Sequence, residues 1–158
     1  MKKIAAMAGF CMVLAACGGG NGGEVAAQPQ SGSPAISGST AHQQINAIRA
    51  KADMPPLARN AQLDAAAFAH AKDMAANNFM GHKGSDGSTV GQRVRRAGYG
   101  WCSLGENVSQ GYASESSAID GWRRSPGHYR NLVKRKVNEF GMAHVNGYRV
   151  LVVGARRC

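Results

Sequence analysis

Between Gly121 and Leu132 the chain reads Gly-Trp-Arg-Arg-Ser-Pro-Gly-His-Tyr-Arg-Asn-Leu, and His128 is the residue there whose type and setting most invite chemistry. Ser125 is a residue that caps a helix with its hydroxyl, Pro126 suits a first helical position, and apolar spacing continues through Leu132 and Val133. His128 then falls in the first turn of a short helix. There the positive end of the peptide dipole disfavours imidazolium and keeps the ring neutral, the form that binds a metal or accepts a proton. Ser125 with His128 also has the residue types of a nucleophile and its base, but its place before Pro126 accounts for it as a cap. His70 lies on an alanine-rich helical face with no ligand type one turn away, and reads as packed core.

The elements that must position His128 follow from periodicity and punctuation. A short helix is expected over His42 to Ala52, ended by Asp53-Met54-Pro55-Pro56. A longer one covers Asn60 to Asn78, with Leu63, Ala67, His70, Ala71 and Met74 on one face. Phe79 to His82 leave that helix into the Gly/Ser loop Lys83 to Ser88, and a helical segment Val90 to Ala97 ends at Gly98-Tyr99. Gly105 to Val108 reads as the start of a strand, and Ser114 to Arg124 as a helix capped by Ser114. Phe140 to Val145 and Tyr148 to Val153 are apolar runs joined by Asn146-Gly147, the strongest short hairpin signal. Helices first and a meander of strands last give an α+β domain, an antiparallel sheet between helices.

The amino-terminal part is of another kind. Met1-Lys2-Lys3 and the apolar run Ile4 to Ala16 have the charged start and small-residue end of a secretory signal, too short for a membrane span. Leu14-Ala15-Ala16-Cys17-Gly18 looks like a bacterial lipobox, so residues 1–16 are read as a lipoprotein signal and Cys17 as the lipidated residue. Residues 17–40 form a Gly/Ser/Pro tether, whose coil would span roughly 25 Å. Residues 41–158 remain for one domain with a real core. Cys11 lies in the signal and Cys17 takes the lipid, which leaves Cys102 and Cys158 to pair in the oxidising compartment that export implies.

Without Lys2 and Lys3, the 19 Lys and Arg fall to 17 against 9 Asp and Glu, a formal +8. Outside the cytoplasm such a surface is drawn to anionic lipid, acidic glycan or peptidoglycan. No aromatic side chains of the kind that stack bases interleave the clusters Arg93/Arg95/Arg96, Arg123/Arg124 and Lys134-Arg135-Lys136, so nucleic acid is not expected as a partner. Oligomeric state is not legible.

Five pieces in register carry a resemblance: Leu63 to Met74 on a helix, Phe79-x-x-His82, Gly105-Glu106-Asn107, Trp122-x-x-Ser125-Pro126-Gly127-His128-x-x-Asn131-Leu132, and Glu139-Phe140-Gly141-Met142-Ala143. In order and spacing they are similar to the CAP superfamily of cysteine-rich secretory, antigen 5 and pathogenesis-related proteins, in its short bacterial branch. The resemblance implies a three-layer α-β-α sandwich with a central antiparallel sheet, and a cleft where two histidines and one or two glutamates meet. Carried over by position, these are His82, Glu106 and His128.

Two imidazoles and a carboxylate would make a three-ligand site with an open fourth position, which suits zinc or another divalent metal. Equally, Glu106 would orient one imidazole while the other bound a metal or moved a proton. The gaps between these residues match no local ligand motif, and both readings stand. The second glutamate that many eukaryotic relatives carry just after the helix tryptophan is missing, since Arg123, Arg124 and Ser125 follow Trp122. Glu115 and Asp120 precede it, and Glu139 is a substitute better read as a strand-end surface residue. Asn107, Trp122, Ser125, Tyr129 and Asn131 are expected to support the cleft.

The resulting expectation is a bacterial cell-envelope lipoprotein, bound to the bilayer through acylated Cys17, whose domain binds an envelope ligand of lipid or peptidoglycan type. A metal-assisted hydrolase and a structural lipoprotein without activity are the alternatives, and catalysis is the weaker reading. The anchor has a direct test: Cys17→Ala should move the protein from the membrane fraction to the soluble one, and an unchanged distribution would remove the lipobox assignment.

Overall fold

The computed structural model describes residues 38–158; the signal of residues 1–16, Cys17 and the tether as far as residue 37 lie outside the described residues. The first helix, α1 (Gly38–Ala50), starts inside the stretch read as tether and stops two residues before the expected end. A two-residue strand β1 (Ala58–Arg59) follows, which sequence reading passed over. Next come α2 (Ala61–Asn77), α3 (Val90–Arg96), β2 (Ser103–Gln110), α4 (Glu115–Arg124), α5 (Pro126–Leu132) and the hairpin β3 (Glu139–Val145) and β4 (Tyr148–Ala155).

Local chemistry explains the ends. Asn60 caps α2 by accepting from the N–H of Gln62 and Leu63, and Asn78 closes it in the left-handed conformation that asparagine tolerates. Capping boxes open α3 at Thr89/Gln92 and α4 at Ser114/Ser117. Asn146 and Gly147 have φ of 45° and 86°, the pair of positive angles a two-residue hairpin of this twist requires.

The sheet order is β1-β3-β4-β2, antiparallel except for β1, which runs parallel to β3. Side chains alternate across it. Phe140, Met142, Leu151 and Val153 pack with Ile45 and Ile48 of α1, Ile119 and Trp122 of α4 and Leu132 of α5. Val108, Val150 and Val152 face the other way onto Leu63, Ala67, Ala71 and Met74 of α2 and Val94 of α3. This is the expected α-β-α sandwich. Cys102 and Cys158 are bonded, with Cα atoms 5.9 Å apart. They tie the carboxyl terminus to the approach of β2, and closing a loop of 56 residues' separation contributes on the order of 4 kcal/mol in the chain-entropy model.

Gly141 is where α2 comes closest to the sheet. A Cβ there would stand 2.1 Å from the backbone nitrogen of Asp64 and from the carbonyl carbon of Leu63, with backbone rather than a flexible side chain in the way. Gly127, on the exposed side of α5, would meet only the end of Arg130 at 3.9 Å. Gly141→Ala should therefore lower stability in urea unfolding by about 3 kcal/mol, while Gly127→Ala should leave it unchanged or raise it by a few tenths.

Candidate functional site

The site forms along the outer edge of β2. Glu106 sits in mid-strand with its side chain only 3% exposed, and both carboxylate oxygens are taken. Oε1 is 2.9 Å from His82 Nδ1, and Oε2 accepts from Arg93 Nη2 at 2.7 Å. Arg93 is itself buried, and donates further to the carbonyls of Ser88 at 2.7 Å and His82 at 3.0 Å. One guanidinium thus holds the strand, the loop after α2 and the residue that presents the imidazole. His82 remains open to solvent, its side chain 60% exposed.

The carboxylate on Nδ1 dictates what His82 offers. In the neutral ring it keeps the proton on Nδ1 and leaves the Nε2 lone pair facing outward. The hydrogen bond to Glu106 also raises the His82 pKa above its ordinary value, against a lowering from partial burial and from Arg93. His128, half-buried on α5, is shifted the other way, first by desolvation and then by the charge on His82. The two imidazoles therefore feel each other and are biased toward opposite protonation states.

Side-chain amides fix the second imidazole to the same strand. Asn107, fully buried, donates to the His128 carbonyl at 3.1 Å; Asn131 donates to the Glu106 carbonyl at 2.9 Å and to Asn107 Oδ1 at 2.8 Å. Trp122 Nε1 donates to the Val108 carbonyl at 3.2 Å. These bonds satisfy two edge carbonyls of β2, those of Glu106 and Val108, while pinning α4 and α5 beside it. Two hollows result, each holding one of the imidazoles. One, of about 350 Å³, is walled by His82, Lys83, Thr89 and Val90. The other, of about 250 Å³, is walled by His128, Ser125, Tyr112 and Met80.

His82, Glu106 and His128 come to one edge, and Asn107, Trp122 and Asn131 hold them there. Ser125 differs from expectation in one respect: it occupies the N-cap position of α5 without a side-chain capping bond. It is also the C-cap of α4, where its N–H goes to the Trp122 carbonyl, and its backbone serves as the joint between two helices. Glu139 is no free surface group, since it accepts from Asn60 at 2.8 Å and from the Tyr99 hydroxyl at 2.6 Å. Asp120 pairs with Arg123 and Arg124 on the outside of α4, and Glu115 lines a different cavity. None of the three supplies a second acid here. His70 is buried, as read, and its Nε2 lies 2.8 Å from the Gly81 carbonyl, bracing the residue before His82.

Glu106 does not offer a free oxygen to a metal. Among the described residues no three His, Cys, Asp or Glu side chains are grouped to hold an ion. Of the two roles open to Glu106, the geometry matches the orienting one, and the three-ligand zinc set does not fit. Arg93 is the functional residue that sequence reading missed, having been counted with Arg95 and Arg96 as surface charge. Val90, Arg93, Val94 and Ala97 share one helical face, and that spacing places Arg93 inward.

Because the folded state raises the His82 pKa, its contribution to stability is complete below the unfolded value near 6.5 and fades as pH rises through the folded value. The ring is too exposed for this to be large. In an NMR titration His82 should protonate at higher pH than His128, and Glu106→Gln should bring His82 down toward the ordinary histidine range. Equal midpoints in the unsubstituted protein would refute the carboxylate's role.

Comparison with known proteins agrees with this architecture. The chain is 27% identical over 97 residues to an uncharacterized membrane protein of Bacillus subtilis, a match covering 61% of this chain and 28% of the relative. A second uncharacterized protein of that organism is 25% identical over 100 residues, covering 63% and 39%. The chain thus spans well under half the length of these relatives. Among solved structures, an extracellular protein with an SCP domain from Bacillus anthracis superposes with a TM-score of 0.69 at 29% identity, over 73% of this chain and 40% of that one. An outer surface protein of Borrelia burgdorferi shares the fold, with a TM-score of 0.67 at 20% identity over 73% and 90%. The model of the cysteine-rich secretory protein family, CAP, matches residues 42–153, and the chain belongs to that family.

Proposed function

We propose that this domain works at the bacterial cell envelope, tethered to the membrane through lipidated Cys17, and that the His82–His128 cleft binds an envelope ligand of lipid or peptidoglycan type. The observation that carries the reading is the engagement of both Glu106 oxygens, by Arg93 and by His82. A carboxylate so held orients a ring; it is not free to take up and release the proton of a substrate or water. Among the described residues no second acid stands beside it. What faces outward is a pair of imidazoles with Lys83 and Thr89 near one and Tyr112, Ser125 and Met80 near the other, a mixture of polar anchors and apolar wall that suits recognition. The formal +8 of the exported chain favours anionic head groups or cell-wall polymer over neutral ligands.

The family resemblance brings zinc or another divalent metal with it. Here such an ion would have the two imidazoles alone as protein donors, and binding of the proposed ligand does not depend on it. A hydrolase is the second reading, favoured by one observation: a histidine oriented at Nδ1 by a carboxylate has the form of a general base acting through Nε2.

Calorimetry separates these readings. Soluble peptidoglycan fragments and vesicles containing anionic phospholipid should bind the unsubstituted protein, and the double variant His82→Ala/His128→Ala should lose affinity at least tenfold while keeping its circular dichroism. Retained affinity in that variant overturns the cleft as the ligand site. Zinc titrated into the same two proteins tests the imidazole donors, and equal heats exclude them. Turnover of a peptidoglycan, ester or peptide substrate that falls at least a hundredfold in Glu106→Gln would favour the hydrolase instead.

A further inference from the structure

The two edges of the sheet are finished differently. On β2, Asn131 and Trp122 take the outward carbonyls of Glu106 and Val108. On β3, the partner strand β1 ends after pairing with Glu139 and Phe140, because Asn60 turns the chain into α2. Beyond that point the even-numbered residues of β3 point their backbone groups away from β4, as the Asn60 N–H to Phe140 carbonyl bond establishes. Asp64 Oδ1 accepts from Met142 N at 2.8 Å. Among the described residues, nothing takes the Met142 carbonyl or the N–H and carbonyl of His144.

A cavity of about 420 Å³ straddles this open edge. On the α2 side its wall is apolar, made by Ala65, Ala143 and Phe68, and Phe68 is 52% exposed. On the α4 side lie His144 and Glu115. Glu115 is half-buried, and among the described residues it forms no ion pair or hydrogen bond. Arg59, which also lines the cavity, is already committed to Asp64 at 2.9 Å. Desolvation raises the Glu115 pKa despite the attraction of Arg59 and Arg149, as befits a carboxylate short of a partner.

We propose that the open edge of β3 is a docking site for an extended peptide that carries a lysine or arginine next to a large apolar residue. Up to three main-chain hydrogen bonds are offered, by the Met142 carbonyl and the N–H and carbonyl of His144. A strand laid there alternates its side chains between the two faces. The apolar residue meets Phe68 and Ala65, and its basic neighbour reaches Glu115. This surface is separate from the His82–His128 cleft, and its occupant is a protein segment rather than an envelope lipid or glycan.

The detergent-solubilised full chain, immobilised, can be panned against phage-displayed random heptapeptides, with the enriched peptides resynthesised for fluorescence anisotropy. Enriched sequences should carry the basic–apolar pair. Affinity should fall at least tenfold on Glu115→Gln and on Phe68→Ser, and also when the peptide amide opposite His144 is N-methylated, and binding should slow hydrogen exchange at the His144 amide. No enrichment over an unrelated protein, enrichment without the pair, or equal affinity for both variants overturns the proposal. So does a concentration-dependent dimer that protects the same amide, which would assign the edge to a second copy of this chain.

Discussion

A carboxylate buried to 3% exposure cannot stand alone, and much of the site's construction answers that constraint at Glu106. Arg93 supplies the opposing charge from α3, and its Nη1 and Nη2 also donate to the carbonyls of Ser88 and His82. The ion pair therefore fixes the course of the loop between α2 and α3, and with it the position of the imidazole. Removing one partner of such a pair typically costs about 3–5 kcal/mol, because the other charge is left unmatched. Loop, strand and helix are coupled through one guanidinium, and His82 inherits a set orientation while staying exposed.

The second imidazole is held by neutral groups. Asn107 and Asn131 bridge β2 to α5 with three hydrogen bonds, and Asn131 also caps the Glu106 carbonyl, which an edge strand would otherwise leave unpaired. Gly105 belongs to the same arrangement. A Cβ there would stand 2.7 Å from Asn131 Oδ1, so the strand approaches α5 closely only with glycine at that position. The Gly105-Glu106-Asn107 run is thus three consecutive answers to one problem: close approach, an oriented imidazole and a pinned helix.

Much of the fold was legible because its signals are local. The caps at Asn60 and Ser114, the Asn146-Gly147 turn and the alternating runs of the hairpin each state an element within a few residues. β1 was not legible, since two residues after Pro55-Pro56 carry no periodicity and become a strand only by lying beside β3. At the site, His82, Glu106 and His128 came from resemblance, and spacing left the role of Glu106 open. What decided it was Arg93, a long-range partner whose helical face was readable and whose target was not. Glu139 shows the same limit: a carboxylate at a strand end looks exposed in sequence, and the contacts with Asn60 and Tyr99 that occupy it come from 79 and 40 residues away along the chain.

The finish of the two edges bears on what the domain is for. A sheet edge left bare invites association, and proteins cover or charge such edges when association is unwanted. On β2 the mid-strand carbonyls of Glu106 and Val108 are covered, and the groups that cover them are those that build the cleft. On β3 the covering stops at Asp64, which takes the Met142 N–H two residues past the end of β1 pairing. Arg59 and Glu115 beside this gap keep it from being a bare apolar strip that would aggregate. Charge that selects among partners, rather than backbone closure that refuses them all, is the device found there. The domain thus presents two differently built surfaces on opposite margins of one sheet, one shaped by oriented imidazoles and the other by unpaired backbone.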